Sequence, residues 1–240
     1  FFNAIGLGVL EGYGLTETTA PLTVNMPGKQ RVGSVGLPIP GTCVRIADDG
    51  EILAKGIGVF AGYWNNPEAT EKAFDEDGFF ATGDLGELDE DGFLTVTGRK
   101  KDIIVTAGGK NVVPGPLEEI VREGRIVSQV VLVGDDKPFV SALVTLDEEE
   151  LQIWAKAEKV SGVARFSDAL KNSRVHEEIQ SYINRANATV SRAESIRKFV
   201  ILEEDFNEDD GTLTPSMKVR RPKVYEQYAD TIAAIYRKRK

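Results

Sequence analysis

Residues 82–110 read TGDLGELDEDGFLTVTGRKKDIIVTAGGK, and this stretch decides how the rest of the chain divides. It carries an acid after a glycine (Gly83, Asp84), a tight hairpin, and the corner Gly98-Arg99-Lys100-Lys101-Asp102. A strand-like run, Ile103 to Thr106, then ends in the glycine pair Gly108 and Gly109. Charged and flexible residues are dense here, while short apolar runs hold them in place. That combination suits a site between two moving parts. Upstream, the pattern is short strands and turns; downstream, it is mixed helix and strand. The domain boundary therefore falls at Gly98 to Lys101.

The length of 240 residues allows one large domain or two small ones. A hydrophobic fraction of 41% with mixed charges reads as a soluble globular protein. No apolar run approaches the roughly eighteen residues of a membrane span. Phe1 to Leu10 lacks the basic lead and cleavage site of a signal peptide. Phe at position 1 leads us to expect a start inside a longer protein. The single cysteine, Cys43, excludes a disulfide framework and fits a reducing compartment. It lies in the strand-like Thr42 to Ile46, so it is expected to fill the core. The net charge of −9 argues against nucleic acid as the main partner. Positive charge is concentrated at 99–101 and 218–223 instead.

Residues 1–10 alternate glycine with apolar residues and read as a buried strand. Glu11 to Glu17, EGYGLTE, follows as a strand-end loop. Its glycines, Gly14 among them, allow the backbone close to a ligand. Tyr13 offers an aromatic face, Thr16 a hydroxyl, and Glu17 an oxygen ligand for a hard cation such as magnesium. A plain glycine turn with a capping threonine explains the same residues equally well. Residues 31–97 read as β-structure: Asp49-Gly50, Asp77-Gly78 and Asp91-Gly92 are hairpin signals, with strands over Cys43–Ile46, Glu51–Lys55 and Gly92–Thr97. These suggest a small barrel or a meander. Pro67 opens a short helix to Ala73. The pentapeptide Asp-Glu-Asp-Gly-Phe at 75–79 and 89–93 is reused turn chemistry rather than a repeat array.

Beyond Gly98 we expect strands at Ile103–Val105, Gln129–Val133, Phe139–Leu146 and Ile196–Glu203. Helices are expected at Pro116–Arg122, from an Asp147 cap through Lys159, at Ser173–Asn187, and at Val224–Arg237. Glu118 and Glu119 are placed in the first turn of their helix, where the dipole favours acids. Val175, Ile179, Tyr182, Ile183 and Ala186 fall at helical spacing. His176, the only histidine, has no serine or cysteine partner and reads as a satisfied surface residue. No cluster of His and Cys supplies a transition-metal site. Gly109-Lys110-Asn111 is not a phosphate-binding Walker loop, since Ile104 stands where glycine is required.

Three charged residues carry the chemistry. Asp84 follows Thr82-Gly83 at a predicted strand end, and its carboxylate can accept two hydrogen bonds at once, which suits vicinal ribose hydroxyls. Arg99 offers a fork of donors to ribose or phosphate. Lys218, in Gly211-Thr-Leu-Thr-Pro-Ser-Met-Lys218, is held at a hairpin-like turn. There its ammonium is a compact charge for a transition state that gathers negative oxygens. Each alone reads as a solvated surface charge; their company favours a site.

Four motifs, in order, resemble those of the adenylate-forming superfamily of acyl-CoA synthetases, firefly luciferase and peptide-synthetase adenylation domains. They are Tyr-Gly-Leu-Thr-Glu at 13–17, Thr-Gly-Asp at 82–84, Gly-Arg-Lys-Lys-Asp at 98–102 and Leu-Thr-Pro-Ser-Met-Lys at 213–218. Gly-Glu-Ile-Leu (50–53), Gly-Tyr-Trp-Asn-Asn-Pro-Glu-Ala-Thr (62–70) and Gly-Gly-Lys-Asn-Val (108–112) are similar to bacterial long-chain fatty-acid–CoA ligases. The resemblance covers essentially the whole chain. It implies an α+β chain: residues 1–98 as the β-rich, barrel-like C-terminal piece of a truncated large domain, 99–101 as a hinge, and 102–240 as a small mobile α+β domain. It implies ATP, magnesium and coenzyme A, with a fatty acid as substrate and AMP as product. Tyr13 would stack on adenine, with Gly14 beside it, and Thr16 would contact the α-phosphate. Glu17 would hold magnesium, Asp84 the ribose, and Arg99 the nucleotide. Lys101 would be the hinge residue, Gly108 and Gly109 would line the pantetheine path, and Lys218 would bridge carboxylate and phosphate oxygens. A solvated strand-start lysine is the competing reading of Lys101.

The family's glycine-, serine- and threonine-rich phosphate loop lies upstream of the Tyr-Gly-x-Thr-Glu motif and has no counterpart here. Most of the large domain is likewise missing, so the chain is expected to be the C-terminal part of a ligase, inactive alone, whose partner is the rest of its own chain. A ligase loading a carrier protein, or a non-catalytic nucleotide-binding domain, are the alternatives. The absence of an insert between Pro40 and Gly83 favours coenzyme A over a carrier. A cytoplasmic location is expected, with at most peripheral contact with the inner face of the membrane. The basic tail Arg237 to Lys240 reads as a solvated helix end rather than a lipid contact.

Overall fold

The computed structural model describes residues 2–163 and 166–237, so the last three residues of the basic tail lie outside the described residues. The backbone divides into two compact units, Phe1–Asp102 and Ile103–Lys240.

In the first unit, β1 (Gly12–Leu15), β2 (Ala20–Val24) and β3 (Leu37–Pro38) form an antiparallel sheet in that order. The expected strand-end loop at Glu11–Glu17 is thus largely strand, with a bulge between Tyr13 and Gly14 and a 3-10 turn at Thr16–Thr18. A second sheet runs β4 (Thr42–Ile46), β5 (Glu51–Gly56), β6 (Phe80–Leu88) and β7 (Leu94–Arg99), all antiparallel in sequence order, which is a meander. Helix α1 (Pro67–Ala73) interrupts it. Asn66 caps α1 by accepting from the Ala69 amide at 3.1 Å, and Pro67, which has no amide to satisfy, opens the first turn.

Asp49-Gly50 and Asp91-Gly92 turn true hairpins. Asp77-Gly78 instead closes a single bridge, Phe74 to Phe80, between α1 and β6. The two Asp-Glu-Asp-Gly-Phe copies nevertheless share their chemistry. Asp75 and Asp89 each accept the amide of the phenylalanine four residues on, at 2.8 and 2.9 Å. Each copy also holds an arginine over its phenylalanine, Arg45 on Phe79 and Arg31 on Phe93, with the guanidinium paired to both aspartates.

Two expectations fail here. Residues 1–10 are not a buried strand: Phe2–Ile5 is a 3-10 turn, and Leu7, Val9 and Leu10 are exposed. A buried strand needs neighbours on both faces, and the side chains of Leu7, Val9 and Leu10 lack them. Cys43 is not core filler either. β4 lies at the edge of its sheet, and its alternation turns Thr42, Val44 and Ile46 inward and Cys43 and Arg45 to solvent.

In the second unit, β8 (Ile104–Val105) and β9 (Asn111–Val112) make a small ribbon. Then follow α2 (Pro114–Arg122), β10 (Val127–Val133), β11 (Val140–Leu146), α3 (Glu148–Ala157), α4 (Phe166–Ala169), α5 (Ser173–Asn187), β12 (Ile196–Ile201), α6 (Arg221–Gln227) and α7 (Ala229–Tyr236). The sheet order is β10-β11-β12; β10 and β11 are antiparallel, β11 and β12 parallel. Every residue of the central strand β11 is buried, because helices cover both faces of the sheet. On one face Val130, Leu132, Ala142 and Val144 meet α2, α3 and α5 through Leu117, Leu151, Ile179 and Ile183. On the other, Val131, Val133 and Leu143 meet Val224 and Ile235 of α6 and α7.

The buried positions of α5 are the five that the helical spacing names. Asp147 caps α3 through the Glu150 amide at 2.9 Å. Helix α2 begins at Pro114, two residues before the expected start, so Glu118 and Glu119 fall outside its first turn. The expected single closing helix is two, parted at Tyr228.

Candidate active site

Asp84 is the centre of the first unit's polar cluster. It sits inside the nine-residue β6 rather than at a strand end, and only 5% of its surface is exposed. Gly83, with φ +74°, supplies the kink that lets a polar pair interrupt the strand. The Tyr13 hydroxyl donates to Asp84 Oδ2 at 2.7 Å, and Arg99 Nε donates to Oδ1 at 2.9 Å. Asp84 and Arg99 are register partners across β6 and β7, so sheet geometry alone brings them together. A carboxylate has about four acceptor positions, so two remain for a ligand. Burial, reinforced by the neighbouring Asp84 carboxylate, pushes the Tyr13 phenol well above the usual tyrosine range, although a hydrogen bond with Thr82 opposes this.

Glu51 lies behind this pair, buried, with one oxygen accepting the Gly83 amide at 2.8 Å and the other accepting Lys100 Nζ at 2.7 Å. Lys100 also reaches Asp49 at 2.6 Å. Hydrogen bonds to Asp49 and then Glu51 push the Lys100 ammonium above its ordinary value, and the bond from Lys100 holds the Asp49 carboxyl below its own. An open cleft of about 380 Å³ is lined by Thr82, Gly83, Arg99, Lys100 and Lys101. The Lys101 side chain is exposed, and its backbone is part of the 3-10 turn Lys100–Asp102.

The remaining candidates of this unit are on and beside β1. Thr16 is exposed, and Glu17, half-buried, accepts from the Tyr63 hydroxyl at 3.1 Å. Gly14 is required by strand pairing: a Cβ there would lie 2.3 Å from the Ala20 carbonyl oxygen. Among the described residues no group of three or more His, Cys, Asp and Glu side chains could hold a metal ion. No helix among them is long and apolar enough to cross a membrane.

Gly108, Gly109 and Lys218 belong to the second unit. Gly108 and Gly109 lie exposed in the turn that joins β8 to β9; Gly109 takes φ +75° and a Cβ there would meet nothing within 4 Å. Lys218 is exposed on a two-sided turn, where its amide donates to Thr214 Oγ1 at 3.0 Å and its carbonyl accepts the Thr214 amide at 2.9 Å. Just beyond, Arg221 makes a two-pronged ion pair with Glu118 of α2, and the same carboxylate accepts the Leu132 amide at 2.6 Å. His176 is satisfied, 2.8 Å from the Leu170 carbonyl.

Sequence reasoning gave Glu51 and Arg221 no role, counted Lys100 only as part of the hinge, and read Glu118 only as an acid favoured by the helix dipole. Glu51 stands in the quoted Gly-Glu-Ile-Leu run, but only its burial beside Gly83 and Lys100 shows what it holds. Glu118 and Arg221 are 103 residues apart and carry no local signal.

A buried carboxylate shared by a tyrosine and an arginine stands beside a cationic cleft, and this cluster is the candidate site. The profile of the AMP-binding enzyme C-terminal domain matches residues 101–240, and that of the AMP-binding enzyme matches residues 1–64. The chain belongs to this family of AMP-binding enzymes. It is 51% identical over 99% of its length to the long-chain-fatty-acid–CoA ligase FadD15 of Mycobacterium bovis, and 38% identical over 98% to the long-chain-fatty-acid–CoA ligase ACSBG2 of Xenopus laevis. It spans 40% of the former's length and 35% of the latter's. The crystal structure of ATP-bound MatB from Rhodopseudomonas palustris matches 97% of the chain, using 42% of its own, with a TM-score of 0.70 at 29% identity. The AMP complex of the O-succinylbenzoate coenzyme A synthetase of Bacillus subtilis matches 92% of the chain, using 41% of its own, with a TM-score of 0.68 at 25% identity.

Proposed function

We propose that this chain is the C-terminal part of a bacterial, AMP-forming long-chain fatty-acid–CoA ligase. The carrying observation is the 51% identity, over 99% of the chain, to a mycobacterial ligase of that description. The reaction has two steps. A fatty-acid carboxylate oxygen attacks the α-phosphorus of ATP, and the bond to pyrophosphate breaks. The coenzyme A sulfur then attacks the acyl carbon of the adenylate and AMP leaves.

The residues of the first unit suit nucleotide capture. Asp84 would accept the ribose hydroxyls through its two remaining acceptor positions while Tyr13 and Arg99 hold it in place. The Tyr13 ring would face adenine, with Gly14 beside it, and Thr16 would donate to the α-phosphate. Magnesium is usually held by one or two carboxylates plus phosphate oxygens and water. A single carboxylate, Glu17, oriented by Tyr63, fits that need and would hold the ion, which neutralises phosphate charge when bound. Lys218, exposed at the tip of its turn, would place its ammonium against carboxylate and phosphate oxygens in the first step. Residues 1–98 would complete the large domain, 99–101 would be the hinge with Lys101 as its pivot, and 102–240 the mobile domain. After the turn, Gly108 and Gly109 would border the path of the pantetheine arm. We place the protein in the cytoplasm, with at most peripheral contact with the membrane.

The test uses the whole ligase and this chain side by side. The whole protein should convert fatty acid, ATP and coenzyme A to acyl-CoA, AMP and pyrophosphate, and the 240-residue chain alone should show no ATP–pyrophosphate exchange. Failure of the whole protein to form AMP with any long-chain fatty acid refutes the reading. Exchange by the chain alone refutes its standing as a part.

A further inference from the structure

We propose that Glu51 is a positioning residue that pins both walls of the cationic cleft and sets where the connection between the two units can begin to turn. Its two oxygens divide the work. One accepts the Gly83 amide, the residue before Asp84, and so fixes the kink in β6 that aims the Asp84 carboxylate. The other holds the ammonium of Lys100, the first residue after β7. The Glu51 carboxylate is 10% exposed, so these bonds form away from competing water, whereas Lys100 and Asp49 are half-exposed. Asp49 completes the clamp from the β4–β5 turn and accepts the Glu51 amide at 3.1 Å, so the turn, the strand and the cation form one unit.

The position of the clamp gives it meaning. The first compact unit ends at Asp102, two residues beyond Lys100. Arg99 is held by Asp84 and Lys100 by Glu51 and Asp49, while the Lys101 side chain is exposed in the 3-10 turn Lys100–Asp102. Of the three successive cations, two are tied by their side chains to the carboxylates of the first unit, and the third, Lys101, has no ion pair of its own among the described residues. The side-chain ties to the first unit therefore end at Lys100, which keeps a change at Lys101 from spreading back into β6 and β7. The functional consequence rests on the hinge reading above; the clamp itself does not.

Limited trypsin digestion of the 240-residue chain tests the clamp, because cleavage after Lys100 requires its ammonium to leave the carboxylates and enter the protease. Glu51→Gln and Asp49→Asn remove charge while keeping every tryptic site. Glu51→Gln should cleave roughly five- to tenfold faster after Lys100 than wild type, the size expected when a charge-assisted hydrogen bond to a half-exposed ammonium is lost. Asp49→Asn, which spares the buried bond to Gly83, should give a smaller rise of about threefold, and it serves if Glu51→Gln does not fold. Lys100→Arg should stay within about twofold of wild type, since a guanidinium retains the pairing. Equal cleavage of the wild type, Glu51→Gln and Asp49→Asn chains overturns the clamp. In the whole ligase, Glu51→Gln at unchanged thermal midpoint should alter the ratio of adenylate formation to thioester formation, and Lys100→Arg should keep it. Faster cleavage with an unaltered ratio leaves the clamp standing and overturns the hinge reading.

Discussion

Glu118→Ala should unfold the second unit far more easily than the lost packing of one methylene and one carboxylate suggests. Glu118 and Arg221 are 12% and 16% exposed, and they pair through both guanidinium nitrogens. The same carboxylate satisfies the Leu132 amide in β10. Alanine removes all three bonds at once, taking from a nearly buried guanidinium its two-pronged partner and from a buried strand amide its acceptor. Removing one partner of a buried pair costs about 3–5 kcal/mol, and the small exposure of Arg221 draws the figure toward about 3 kcal/mol. With a urea dependence of about 1.5 kcal/mol per M, the midpoint should fall by about 2 M. Tryptophan fluorescence reads the right unit. Trp154 is 5% exposed in α3 and will change strongly on unfolding, whereas Trp64 is already 91% exposed in the first unit. Replacing both partners with leucine should recover part of the loss, because no charge is then left buried. A midpoint shift below about 0.5 M for Glu118→Ala would refute the reasoning and mark the pair as no better than the exposed Lys223–Glu226 pair, for which about 0.3 kcal/mol is expected.

Lys218→Ala in the whole ligase should lower adenylate formation by about a hundredfold or more while sparing thioester formation from supplied acyl-adenylate; unchanged ATP–pyrophosphate exchange would show that the lysine turn has been misread. Gly36→Ala should cost about 2–4 kcal/mol in the first unit, since φ is +88° and the new Cβ would lie 2.0 Å from the Val24 carbonyl carbon, and a calorimetric melt within 1 °C of wild type would contradict this. Tyr13, Tyr63, Tyr182, Tyr228 and Tyr236 all have phenols raised by burial, with nearby acids adding to the first four. The folded state thus holds these protons more tightly than the unfolded state, whose value is about 10. The stabilisation is fully present below about pH 10 and is lost as pH rises through the folded values. Absorbance at the tyrosinate band should therefore rise late and together with unfolding; full ionisation of all six tyrosines in a still-folded chain near pH 10 would disprove it.

Local pattern was enough where a residue's fate depends on its near neighbours. The five buried positions of α5 follow from helical spacing, because one face of a helix repeats every three or four residues. Asp147 as a cap and the Asp-Gly turns at 49–50 and 91–92 follow from hydrogen bonds that close within a few residues. The order of the four motifs likewise pointed to the family without any coordinates. Where the sequence misled, a distant neighbour decided. Residues 1–10 carry the composition of a buried strand but Leu7, Val9 and Leu10 are exposed, and Cys43 lies in a real strand that happens to be an edge.

Sequence alone singled out a tyrosine, an acid and an arginine as candidates for a nucleotide, and a lysine on a turn as a candidate for its phosphates. Tertiary structure decided how those groups are held. Tyr13 meets Asp84 across 71 residues, Glu51 meets Lys100 across 49, and Glu118 meets Arg221 across 103. No periodicity reports such pairs, because the choice of partner is made by strand register and helix packing, which set distance and burial together. A carboxylate in the open is only a solvated charge; the same carboxylate buried between two donors is a fixed acceptor with a defined direction.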